Sequence, residues 1–256
     1  MRIVLLGSGN VATHLAKGLT AKHEILQIYS HTLTHAQTLA KEIGCEHVTD
    51  DMADIMTDAD VYIVSVKDDV LPKLAANTLA PDAIWIHTAG SVKMEVFENY
   101  KNRYGVLYPM QSFSKYVAVN WKEVPIFVEG SDAETLAAIT DLGRDLSENV
   151  GFADSTMRKR LHIAAVFSCN FVNHLWVLAD DVLQEGGLKF DSMLPLIRST
   201  VDKLSKVSPK DSQTGPAVRE DYAVMQSHLD ILGDGEKSRL YKALSESIIE
   251  TKHRNI

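Results

Sequence analysis

The chain has 256 residues, 45% of them apolar and 23% charged, with 14 Gly and 7 Pro; this suits one large or two modest folded domains and excludes disordered, collagen-like and coiled-coil classes. A formal net charge of −8 lacks the basic footprint of a nucleic-acid binder, and two cysteines, Cys45 and Cys169, are too few for a disulfide framework or a thiolate metal site. The opening apolar run is too short for a signal peptide and the longest one, His162 to Ala179, is broken by Ser168, Asn170, Asn173 and His174, so the expectation is a cytoplasmic protein with neither membrane nor nucleic-acid partner.

Ile3 to Leu6 reads as a strand, and the helix after it carries Val11, Leu15 and Leu19 at helical spacing. Between them stands Gly7-Ser8-Gly9-Asn10-Val11-Ala12, a G-x-G-x-x-A in the strand-turn-helix setting that binds dinucleotides. Gly7 permits the tight turn, Gly9 lets backbone approach a pyrophosphate, and Ala12 packs the helix closely. The amides of the helix start then face the phosphates. Gly7, Ser8, Gly9, Asn10 and Val11 are the first cofactor-binding candidates.

Ile25 to Tyr29 is a second strand, followed by Leu33, Ala36, Leu39, Ala40 and Ile43 at helical spacing. A carboxylate after this strand would bind the ribose 2′-hydroxyl of NAD. The residues are Ser30, His31 and Thr32, which repel no 2′-phosphate and can donate hydrogen bonds to it, so NADP is preferred over NAD. The other reading of His31 is a solvated loop residue. His31 and His35 have no third ligand nearby, and no metal site is predicted.

Val61 to Val66 forms the third clear strand, and the loop Ser65-Val66-Lys67 is placed near the ribose and nicotinamide by its position at the carboxyl edge. Asp68 and Asp69 are expected to start a helix at Val70. Ala83 to His87 and Tyr104 to Tyr108 are further strands; the first leads into Thr88-Ala89-Gly90-Ser91, a small hydroxyl-rich loop, and the second is broken by Pro109. Thr88 is a cofactor candidate. Gln111 and Ser112 either face the same cleft or form an ordinary strand-exit turn. Pro125 to Glu129 and Val150 to Ala153 flank a helix from Asp132 to Leu146 that Ser131 or Asp132 can cap.

Beyond Asp154 the period becomes helical: 155–185, 192–207, 216–232 and 236–252. Residues 1–154 are therefore expected to be the NADP-binding domain and 155–256 a helical domain for substrate and dimerisation. On the long helix, His162, Asn170, Asn173 and His174 form a polar stripe in an apolar stretch. Buried amides and imidazoles need partners, so the stripe either joins an interhelical network or lines a cleft. Thr214-Gly215-Pro216 precedes Arg219, which either clamps a substrate carboxylate or pairs with Glu220 or Asp221.

Together, Gly7-Ser-Gly-Asn-Val-Ala, His87-Thr-Ala-Gly-Ser, Tyr108-Pro-Met-Gln-Ser-Phe, His162 through Asn170, and Thr214-Gly-Pro with Arg219 and Asp221 resemble a family of NADP oxidoreductases related to pyrroline-5-carboxylate reductase, ketopantoate reductase and deazaflavin-dependent NADP reductase. The resemblance spans nearly the whole chain. It implies a Rossmann-like, mostly parallel α/β domain followed by an all-helical domain like the C-terminal part of 6-phosphogluconate dehydrogenase, and a homodimer built through that helical part. It departs from the family pattern at Tyr108, where a histidine is usual, and at Glu220, where a glycine is usual. Activity is expected to be hydride transfer between NADP(H) and a small carbonyl or imine compound, with His162, Asn170 and Ser112 as catalytic candidates and Gln111, Thr214 and Arg219 as substrate-binding ones. The rival reading is a dinucleotide-binding sensor without turnover.

Overall fold

The computed structural model describes residues 1–254. The described residues fall into two compact units, 1–169 and 170–254. The first is built on strands β1 (Arg2–Leu6), β2 (Glu24–Tyr29), β3 (His47–Thr49), β4 (Val61–Val64), β5 (Ile84–His87), β6 (Arg103–Pro109), β7 (Ile126–Gly130) and β8 (Val150–Phe152). They form one sheet in the order β3-β2-β1-β4-β5-β6-β7-β8. Strands β1 to β6 pair in parallel, β7 is antiparallel to β6, and β8 runs parallel to β7. The Rossmann-like, mostly parallel sheet that the resemblance implies is thus present.

The hydrophobic runs are continuous because both faces of the sheet are covered. Alternate residues divide the core: Ile3, Leu5, Ile28, Val61 and Ile63 pack on one face, and Val4, Leu6, Tyr62, Val64 and Trp85 on the other. Helices α1 (Asn10–Leu19), α2 (Leu33–Ile43) and α4 (Ala133–Arg144) cover the first face through Leu15, Leu39 and Ile139. Short α3 (Leu71–Ala75) packs Leu71 and Leu74 into the second. Asp132 caps α4 by accepting from the Thr135 amide at 2.8 Å, and its neighbour Ser131 donates to Asp132 instead of capping the helix.

Strand order turns around between β1 and β4: the chain adds β2 and β3 on one side, then crosses to place β4 on the other. Such a reversal leaves a crevice at the carboxyl ends of the two central strands. Gly7 follows one of them and Ser65 the other.

Helix α5 (Ser155–Ala165), capped by Asp154, closes the first unit and leads into a π turn at Val166–Asn170. The second unit contains α6 (Phe171–Glu185), α7 (Leu194–Lys203), α8 (Pro216–Arg219), α9 (Tyr222–Leu232) and α10 (Glu236–His253). The sequence expectation of one helix over 216–232 is corrected: Glu220 adopts a left-handed conformation with φ 57° and ends α8, after which Asp221 caps α9. The carboxylate of Glu220 accepts from Lys252 at 2.7 Å and bonds His253 at 2.9 Å, which ties this turn to the end of α10.

Candidate functional site

The first turn after β1 is fixed by backbone. Gly7 donates to the Tyr29 carbonyl at 2.8 Å while Ser65 donates to the Leu6 carbonyl at 2.8 Å, so the turn is held between β2 and β4. Gly7 has φ +126°, and a Cβ there would lie 2.0 Å from the Ser65 carbonyl oxygen. No other residue fits. Gly9 differs: nothing lies within 4 Å of the position its Cβ would take, so that space is open for a ligand.

Gly9 is also the N-cap of α1, with no side-chain cap and no acid in the first turn. The first α1 amide with a backbone acceptor is that of Thr13, bonded to the Gly9 carbonyl at 2.9 Å. The amides of Asn10, Val11 and Ala12 are left for an anion, with the positive end of the helix dipole behind them. Asn10 spends its side chain on structure, donating to the Phe113 carbonyl at 3.0 Å, and the His14 ring bonds the Ser114 carbonyl at 2.8 Å. The segment after β6 is thereby tied over the start of α1.

Past β2, Ser30 is buried and accepts from the Ser8 hydroxyl at 2.8 Å, linking the two loops; His31 is exposed and Thr32 half-buried. Thr32 is the N-cap of α2, which has neither a side-chain cap nor an acid in its first turn. A second helix start, flanked by hydroxyls and imidazoles and free of carboxylates, faces the same edge. This donor set suits a phosphate.

On the β4 side, the Thr88 hydroxyl donates to Ser65 at 3.1 Å, so two candidates from neighbouring strands meet. Val66 is half-buried and Lys67 exposed. Asp68 does not cap α3, whose N-cap is Val70; it accepts a hydrogen bond from Ser91 and so closes the 88–91 loop.

Two buried groups to which the sequence reading gave no role of their own, His87 and Arg158, shape this loop. His87 is fully buried; its Nδ1 accepts from the Ala89 amide at 3.1 Å, and Nε2 lies near the Lys93 backbone without a hydrogen bond of good geometry. Burial, reinforced by the Arg158 charge, pushes its pKa down to about 3, so the ring is neutral. Arg158 on α5 is 0% exposed and pairs with Glu129 of β7, while donating to Ala153 O at 3.1 Å and Val92 O at 2.9 Å. One turn later on α5 comes His162, exposed, with Nδ1 3.4 Å from the Tyr108 hydroxyl. Tyr108 stands at the carboxyl end of β6, mostly buried, and burial together with Asp68 raises its phenol above the ordinary tyrosine range. Gly90 fits between them: a Cβ there would meet the Tyr108 ring at 3.0 Å and His162 Nδ1 at 3.1 Å. Arginine on an amphipathic helix reads as solvated; its only sequence signal is the four-residue spacing from His162.

The side-chain oxygen of Gln111 accepts from the amide of exposed Ser112 at 2.8 Å. Asn170, Asn173 and His174 are exposed, not buried as the stripe argument assumed. The π turn also breaks the α spacing between His162 and Asn170. Thr214 and Arg219 are exposed in the second unit. The suggested pairing of Arg219 with Glu220 or Asp221 is not made, since Glu220 holds Lys252 and His253 and Asp221 caps α9. Among the described residues no group of three or more His, Cys, Asp or Glu is placed to hold a metal ion.

Residues 2–89 match the family described as NADP oxidoreductase, coenzyme F420-dependent, and residues 124–248 match a domain of unknown function, DUF2520. The solved structure of BF3122 from Bacteroides fragilis, provisionally named an NADP oxidoreductase, is 45% identical, with 97% of this chain and 98% of that one covered at a TM-score of 0.92. An imine reductase from Myxococcus stipitatus in complex with NADP+ is 14% identical, with coverages of 99% and 93% and a TM-score of 0.66. The 1-pyrroline-5-carboxylate reductase of Streptococcus pyogenes is 15% identical, with coverages of 98% and 98% and a TM-score of 0.64. These last two show the fold. No curated protein matches the chain.

Proposed function

Because the chain belongs to the NADP oxidoreductase family that includes the Bacteroides fragilis protein, we propose that it reduces a small carbonyl or imine compound with NADPH at the carboxyl edge of its sheet. The observation that carries this is the open space at Gly9 beneath the uncapped start of α1, a cradle shaped for a diphosphate. Gly7, Ser8, Gly9, Asn10 and Val11 hold the pyrophosphate through backbone. Ser30, His31, Thr32 and the start of α2 receive the 2′-phosphate, and Ser65, Val66, Lys67 and Thr88 line the ribose and nicotinamide end.

When bound, NADPH supplies a hydride to the substrate carbon and leaves as NADP+, and the substrate oxygen or nitrogen takes up a proton. His162 is our choice for holding that proton, since its Nδ1 stands 3.4 Å from the Tyr108 hydroxyl at the carboxyl end of β6. Asn170 and Ser112 are proposed donors toward the reacting group, and Gln111, Thr214 and Arg219 toward the rest of the substrate. Arg219 has no anionic partner among the described residues, which suits a carboxylate-bearing substrate. We assign cofactor binding to 1–154 and substrate binding and dimerisation to 155–256.

We also propose a homodimer through the helical part. Helices α6, α7 and α9 bury no residue within the chain, and Val177, Leu196, Val201 and Ile231 are at least half exposed. The stretch 155–185 is long and apolar enough to cross a membrane by length and composition, with mean hydropathy 1.4. Asn170, Asn173 and His174 favour a second copy over a bilayer as its cover. The free thiols Cys45 and Cys169 agree with a cytoplasmic location. NADPH oxidation against a panel of keto acids and cyclic imines tests the activity. Consumption with one class supports it; tight NADPH binding without oxidation across the panel supports the sensor instead.

A further inference from the structure

We propose that Arg158 is a positioning residue: together with His87 it fixes the 88–92 loop so that Thr88 and Gly90 are presented to the nicotinamide half of the cofactor, an inference resting on the cofactor site proposed above. The loop is anchored at both ends by buried side chains. At its start, Nδ1 of fully buried His87 accepts from the Ala89 amide at 3.1 Å. At its end, Arg158 donates to the Val92 carbonyl at 2.9 Å. Between these anchors, Thr88 bonds Ser65 and Ser91 bonds Asp68, which sets the loop against the residues following β4.

The guanidinium is suited to this because it is planar and forked. Nη1 serves the Glu129 carboxylate and the Ala153 carbonyl while Nη2 serves Val92, so one side chain sets β7, the end of β8 and the loop relative to one another. Lysine, a point charge on a flexible stem, cannot reproduce that fork. A buried ion pair adds little net stability over an apolar pair of similar volume. Its consequence here is geometric. Arg158 and His162 are one turn apart on α5, and Gly90 fills the gap between His162 and Tyr108 so closely that a methyl there would press both side chains, at 3.1 and 3.0 Å. Releasing Val92 therefore shifts the loop at the point where it meets both side chains.

The test separates the two halves of the cofactor. Wild type, Arg158→Met, Arg158→Lys and the double variant Arg158→Met with Glu129→Gln are titrated with NADPH and with 2′,5′-ADP, which carries only the adenosine side. The fluorescence of bound NADPH reports the nicotinamide surroundings, and circular dichroism checks folding. The expected result is NADPH affinity weakened about tenfold, the loss of one or two hydrogen bonds, with reduced fluorescence enhancement. Affinity for 2′,5′-ADP should change by less than about twofold, and lysine should not rescue. Equal changes for both ligands, or no change for either, overturn the inference while leaving the cofactor site standing. Should the single methionine variant fail to fold, the double variant, which leaves no unpaired buried charge, decides by the same comparison. Wild type that binds neither ligand refutes the cofactor site itself, and the positioning role with it.

Discussion

Gly7 and Ser65 approach so closely that a single methyl on Gly7 would stand 2.0 Å from the Ser65 carbonyl oxygen. That contact joins the ends of the two strands at the reversal of the sheet and fixes where the following amides point. Two glycines two residues apart thus have separable roles. Gly7→Ala should destabilise the fold by about 2–4 kcal/mol, from a backbone clash at a φ that alanine avoids. Gly9→Ala should leave stability within about 0.5 kcal/mol yet weaken NADPH, because its methyl fills the cradle. Thermal melts with NADPH titrations check both; equal stability losses would contradict the assignment.

Thr32 begins α2 without a capping bond. Thr32→Asp should cap that helix, raising stability by up to about 1 kcal/mol, while placing a carboxylate where the 2′-phosphate is proposed to sit. NADPH affinity is expected to fall at least about tenfold and NADH affinity to change little, since each tenfold corresponds to about 1.4 kcal/mol. Parallel titrations measure the ratio, and an unchanged preference would remove residues 30–32 from cofactor discrimination.

His162→Ala is expected to lower turnover by about 10²- to 10⁴-fold, the usual range for a general acid, with NADPH affinity preserved. Tyr108→Phe removes the hydroxyl 3.4 Å from His162 and should displace the pH profile of turnover without abolishing activity. Full activity in His162→Ala would take the imidazole out of the mechanism.

His87 predicts an acid sensitivity of the fold. Its folded pKa is about 3, against about 6.5 for an unperturbed histidine. Between these values the unfolded chain holds a proton that the folded chain does not, so stability rises with pH across that window and is complete above it. At pH 4.5 the loss relative to neutral pH should be about 3 kcal/mol. His87→Gln keeps an acceptor for the Ala89 amide without titrating, so the gap between variant and wild type should shift in the variant's favour as pH falls. Denaturant unfolding at several pH values decides; parallel curves would contradict it.

The alternation of strand runs with helical stripes was enough to read the parallel sheet, because both rest on the periodicity of burial. Strand β3 escaped notice since three residues, His47–Thr49, are too few to show a period. The break at Glu220 carries no composition signal, as glutamate seldom takes a left-handed conformation. The nucleotide turn was legible because glycine is demanded there by sterics. The chemistry-bearing cluster was legible only in part: His162 and Thr88 are visible as polar residues, but Arg158 and Glu129 become partners through strand order, which local spacing does not encode. Asp68 was misread as a cap because its partner, Ser91, lies 23 positions away.

The central claim is that amides after β1 grip the diphosphate of NADP(H). Thermal unfolding of the purified protein with NADPH, NADH and ATP tests it most directly, because a ligand at about a hundred times its Kd adds roughly 2.7 kcal/mol, or about 5–10 °C in Tm for a chain of this size. The account predicts the largest rise with NADPH, a smaller one with NADH and the least with ATP. A Tm unmoved by either pyridine nucleotide would contradict it.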